Sequence, residues 1–188
     1  ERLERFGPNV GQPIPPSQRT GLVDRNGDRI DDRVLTTMQT AGEVTALAVP
    51  PEGGSVIWMA TADPGSAWSG SVTAVRVTVT SAGTRDDVAL SSAGQAGASS
   101  GAFGVDVRGA RLSAAVSAAG LGTWDVTSSP FPMGAAPVVG GAQGLAVVGT
   151  SAAIATGSRD ATTWHLSGGH LERFSLEAAP VATGTAQV

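Results

Sequence analysis

The chain has 188 residues, 41% of them apolar, and a formal charge of −4, with all 12 of its basic residues arginine. That length suffices for one domain with a core, and the scatter of arginines from Arg2 to Arg173 makes no basic patch, so a nucleic-acid partner is not expected. With no cysteine there is no disulfide, zinc–thiolate site or thiol nucleophile, and no apolar run approaches the roughly 18 residues of a membrane-spanning helix.

The chain opens on Glu1-Arg2-Leu3 rather than on Met, as expected of a processed mature protein or a piece of a longer one. Residues 1–20 carry Pro8, Pro13, Pro15 and Pro16 and little apolar periodicity, which predicts an extended Pro-rich arm. Residues 21–43 read as a hairpin in which Leu22-Val23 and Val34-Leu35 flank an acidic loop. From Val44 onward small polar and apolar residues alternate between glycines, with no helical stripe. Segments 44–49, 55–61, 72–80, 103–109, 112–118, 122–127, 144–149 and 152–157 are each about one short strand long.

These strands repeat. Gly104-Val105-Asp106-Val107-Arg108-Gly109 lies over Gly144-Leu145-Ala146-Val147-Val148-Gly149, and the same ungapped offset sets Trp124 on Trp164 and Asp125 on His165. Further on, Ala136-Pro137-Val138 matches Ala179-Pro180-Val181, and Gly141-Ala142-Gln143 matches Thr185-Ala186-Gln187, the point at which a fourth unit would start. Upstream, 46–49 stands in for the Gly-Val-Asp-Val strand and 73–78 for the Trp124 strand. The expected fold is all-β: an incomplete β-propeller of about three four-stranded blades, near 44–100, 101–143 and 144–188, with a β-sandwich as the alternative. Three blades do not close a propeller, so another chain or a missing segment is expected to complete it.

The one motif with chemistry is the acidic loop. Asp24, Asn26, Asp28 and Asp32 put side-chain oxygens at positions 1, 3, 5 and 9, and Ile30 at position 7 can offer its backbone carbonyl. Closely spaced oxygens on a tight turn suit Ca2+ in a structural role. The alternative is a plain acidic turn, since Asp, Asn and Gly are turn residues in any case. A helix–loop–helix calcium site is excluded because its twelfth position, where a bidentate Glu belongs, is Leu35.

Two resemblances rest on these residues. The stretches 104–132 and 144–167 resemble the LVIVD repeat of bacterial and archaeal surface β-propellers, the first keeping Trp124-Asp125-Val126 before a Ser-Pro loop and the second carrying His165 where Asp is usual. The acidic loop resembles the calcium hairpin of FG-GAP and VCBS repeats, with Arg29 where glycine is commonest. The resemblance implies a secreted or cell-surface location and a structural role for the metal.

No catalytic group is expected. Only His165 and His170 are available as bases; the first reads as a strand-end residue and the second as solvated in a loop. Asp125, Asp160 and Glu172 are the carboxylates that a propeller could gather on one face for glycoside hydrolysis. Trp58, Trp124 and Trp164 read as packing between sheets, whereas Trp68, in a Gly/Ser loop, is either a contact for a protein or glycan partner or packed beneath that loop. The function expected is a non-catalytic structural or interaction module, the alternative being the non-catalytic part of a secreted hydrolase.

Overall fold

The computed structural model describes residues 36, 38–63, 68–82, 85–97, 100–160, 162–163, 165–177 and 179–187. The predicted arm at 1–20 and the acidic loop at 24–32 lie outside them. The chain divides into two compact units, residues 1–37 with 79–88, and residues 38–78 with 89–188. In the first, the described residues are the hairpin ends 79–82 and 85–88 and residue 36, the hairpin ends being extended. Both hydrophobic cores lie in the second.

Among the described residues, twelve strands make three sheets: β1 Glu43–Ala48, β2 Val56–Asp63, β3 Ser69–Ala82 and β4 Arg85–Gln95; β5 Ala102–Arg108, β6 Arg111–Val116, β7 Gly120–Asp125 and β8 Phe131–Ala136; β9 Ala142–Val148, β10 Ser151–Arg159, β11 Leu166–Ser175 and β12 Val181–Gln187. Within each sheet every strand is hydrogen-bonded to its sequence neighbour, giving three four-stranded meanders, and the registered pairs are antiparallel. Among the described residues the fold is all-β, with three propeller-like four-stranded sheets that close no barrel.

Strand periodicity explains the stacking. Successive side chains of β6 point to opposite faces, so Leu112, Ala114 and Val116 join Trp58, Ala60, Val72 and Ala74 in the core between the first and second sheets. Ala115, on the other face, joins Leu121, Ala152, Ile154 and Phe174 between the second and third. Alanine is the commonest residue in both cores, which lets each sheet pack closely against its neighbour.

The sheets are built in one register. A β-bulge falls at Thr45, Phe103 and Gln143, the same place in each first strand. Two of the bulged residues reach beyond their own sheet, Thr45 Oγ1 donating to the Ala102 carbonyl and Phe103 meeting Trp68, while Gln143 Nε2 donates within the third sheet to the Gly157 carbonyl. Val77, Val126 and Leu176 close the equivalent ends, donating N–H to Ser55, Ala110 and Thr150 at 2.6, 2.8 and 2.8 Å. Between β5 and β9 the backbones approach so closely that a Cβ on Gly104 would lie 2.7 Å from the Leu145 nitrogen.

This register corrects the sequence alignment in its second half. Leu112 faces Trp124 and Ala152 faces Phe174, so the counterpart of Trp124 is Phe174, and that of Asp125 is Ser175. His165 belongs instead to a longer connection between β10 and β11, and Trp164 lies outside the described residues. The outer strands then align Phe131 with Val181 and Ala136 with Ala186, so Thr185-Ala186-Gln187 finishes β12 rather than beginning a fourth sheet. The ten extra residues between β10 and β11 bring Trp164 to the ungapped position of Trp124, which is why the ungapped match runs straight through them.

Candidate functional site

The hairpins β5–β6 and β9–β10 turn through Gly109-Ala110 and Gly149-Thr150, with Gly109 at φ 53° and Gly149 at φ 58°. Glycine at the first turn position adopts this left-handed backbone at no steric cost and keeps the loop to two residues. Between these turns, the second and third sheets part to leave a cleft of about 300 Å³. Its polar lining comes from the second sheet, namely Asp106, Arg108, Arg111, Ser113 and Asp125; Met133, Val147 and Leu176 supply apolar walls.

The charges in the cleft are ordered. Arg108 Nε donates to Asp106 Oδ1 at 2.9 Å, and its Nη2 donates to the Val147 carbonyl at 2.6 Å, tying β5 to β9. Asp125 Oδ1 accepts from the Thr127 hydroxyl and, at 2.8 Å, from the Thr127 N–H. These bonds to the ionised form hold its carboxyl below the ordinary aspartate value. Ser113 is buried and Arg111 half-buried. The homologous opening between the first and second sheets, about 270 Å³, has Trp58 at the register position of Ser113.

A second polar group lies where β11 meets the loop before β9. Glu172 is buried; its Oε1 accepts from the Val139 N–H at 3.1 Å and lies 3.0 Å from His170 Nε2. His170 is therefore a strand residue paired with a carboxylate rather than a solvated loop residue. Asp160 is a turn former, its Oδ1 accepting from the N–H of Thr162 and from the N–H and hydroxyl of Thr163, which lowers its pKa. Asp125, Asp160 and Glu172 thus serve three separate local structures, and among the described residues no three His, Asp or Glu side chains gather as metal ligands would.

Asp24, Asn26, Asp28, Ile30 and Asp32 lie outside the described residues. Trp68 is half-buried at φ 59°, its ring edge-on to Phe103 with centroids 5.4 Å apart, and its carbonyl accepts from the Gly101 N–H. Trp58 and Trp124 both lie in the core between the first and second sheets.

The third sheet also carries an open face. Ala153, Ala155, Leu171, Arg173 and Ala186 occupy the register positions of Ser113, Ala115, Leu121, Thr123 and Ala136 in the second sheet. Those five positions of the second sheet are buried, with Leu121 at 0% exposure, whereas Leu171 is 41% exposed.

Sequence reasoning missed the cleft. Its signal was present: Asp106, Arg108, Ser113 and Asp125 stand where the third sheet has Ala146, Val148, Ala153 and Ser175. No family model matches the chain, and no curated protein matches it.

Proposed function

We propose that this chain is a non-catalytic structural or interaction module of a secreted or cell-surface protein, whose third blade receives a further four-stranded sheet of the same repeat type. The observation that carries this reading is the contrast between Leu121, wholly buried beneath the neighbouring sheet, and its register equivalent Leu171, which is 41% exposed. Ala153 and Ala155 on the same face are small and half-buried, as the inner faces of the first two sheets are small and buried. The LVIVD-like pattern supports the same role, with a protein or glycan held by loops of the completed assembly. In this reading the loop Asp24–Asp32 binds a structural Ca2+, which calorimetry on the chelated chain tests directly: binding that persists in an Asp24→Ala/Asp28→Ala variant would reject that loop as the site.

The absence of cysteine makes the docking reading easy to test. A single Ala155→Cys variant should react readily with a maleimide in the purified chain and be protected in the native assembly. Equal reactivity in both rejects the docked sheet, and protection in the dilute purified chain shows that the face was never open.

A further inference from the structure

We infer that the cleft between the second and third sheets binds a small carboxylate-bearing molecule of about monosaccharide size, held by Arg111 and Ser113. The inference is independent of what covers the open face of β9–β12, which is the other side of the third sheet.

In this corner the second sheet carries four polar side chains at positions where the third sheet has alanine, valine or serine. Polar residues in a partly buried interface forgo apolar burial, and such local departures from the fold's own pattern concentrate at functional sites. Within the cleft both carboxylates are already engaged, Asp106 by Arg108 at 2.9 Å and Asp125 by the Thr127 N–H at 2.8 Å.

That leaves one guanidinium over. Arg111 is the cross-strand neighbour of Asp125, yet Thr127 holds that carboxylate in its own turn, and Arg111 has no ion pair or hydrogen bond among the described residues. Ser113 lies two residues along β6 on the same face, and its hydroxyl also has no partner among the described residues. Because no fully buried side-chain oxygen or nitrogen there lacks a partner, this hydroxyl opens into the cleft.

A free guanidinium fork beside a hydroxyl matches the two coplanar oxygens of a carboxylate. The apolar walls from Val147, Leu176 and Met133 suit the carbon skeleton of the ligand, and about 300 Å³ is at the small end of ligand sites, enough for a sugar acid. A protein's acidic side chain would need the arginine but not the volume beside it.

The test is a titration of the 15N-labelled chain followed through its amide and arginine Nε–H signals, using glucuronate, glucose and tetraglutamate as separate probes. Glucuronate should move the Arg111 side-chain signal and the amides of residues 109–113 and 147–149, while glucose leaves them in place. Arg111→Gln should weaken glucuronate binding by about tenfold or more. Ala110→Phe, at an exposed turn position on the cleft's rim, should block it with the remaining spectrum unchanged. Equal binding of glucose, undiminished binding by Arg111→Gln, or no response to glucuronate would each overturn the inference. A response to tetraglutamate alone would replace the small ligand by an acidic protein segment.

Discussion

Leu121 and Leu171 occupy one register position in successive sheets, so the same truncation at both measures what covers each. Leu121 is wholly buried among Ala115, Ala136, Ile154 and Phe174. Leu121→Ala removes its apolar contacts and leaves a cavity that the flanking sheets only partly fill, costing about 2–5 kcal/mol. Leu171 is 41% exposed, and its truncation opens onto solvent rather than into a core. Only part of the transfer term of about 1.5–3 kcal/mol is at stake there and no enclosed cavity forms, so Leu171→Ala should cost about 1 kcal/mol or less. Urea denaturation reads both through the midpoint, provided the slope is unchanged. Equal losses in the purified chain would mean that the third sheet is already covered, refuting the open-face argument. With the docked sheet present, the cost at Leu171 should rise toward that at Leu121.

Glu172→Ala leaves the Val139 N–H without its acceptor and should destabilise the chain by about 1–3 kcal/mol, whereas Glu172→Gln, which keeps an acceptor oxygen, should cost less; thermal and urea unfolding of the two variants checks the order. The carboxyls of Asp125 and Asp160 are both held below their ordinary value of 3.8, Asp125 first by the Thr127 hydroxyl and Asp160 first by the Thr163 N–H. A folded-state pKa below the unfolded one stabilises at neutral pH, and that contribution is lost as pH falls through the folded value, below 3.8. Carboxyl 13C titration should therefore place both midpoints under 3.8, and Thr127→Val should return Asp125 toward it while leaving Asp160 unmoved.

Much of the architecture was legible because strand alternation and two-residue glycine turns are local properties. Val105 and Val107 alternate with Asp106 and Arg108, and Gly109 marks the turn, so the β5–β6 hairpin follows from sequence. Its match to β9–β10 persists because nothing is inserted between them. The match fails where β10 runs on to Arg159 and the chain makes an extra turn before β11. There the cross-strand partner of Ala152, Phe174, is chosen by packing against Leu121 and Ile154, and a conspicuous tryptophan at the ungapped position misleads.

Residue type and short spacing were enough to establish the all-β class, the repeat of strand and turn, and the absence of thiol and disulfide chemistry. Which polar groups satisfy one another was settled only in three dimensions. Asp106 takes Arg108, Asp125 takes Thr127 and Glu172 takes the Val139 N–H, and Arg111 remains free in a cleft among the described residues. The bond between Glu172 and Val139 joins residues far apart in sequence. Arg111 and Asp125, in turn, are neighbours in the sheet that nonetheless do not pair. Hydrogen bonding is settled by distance and direction in space, and the order of residues along the chain carries neither.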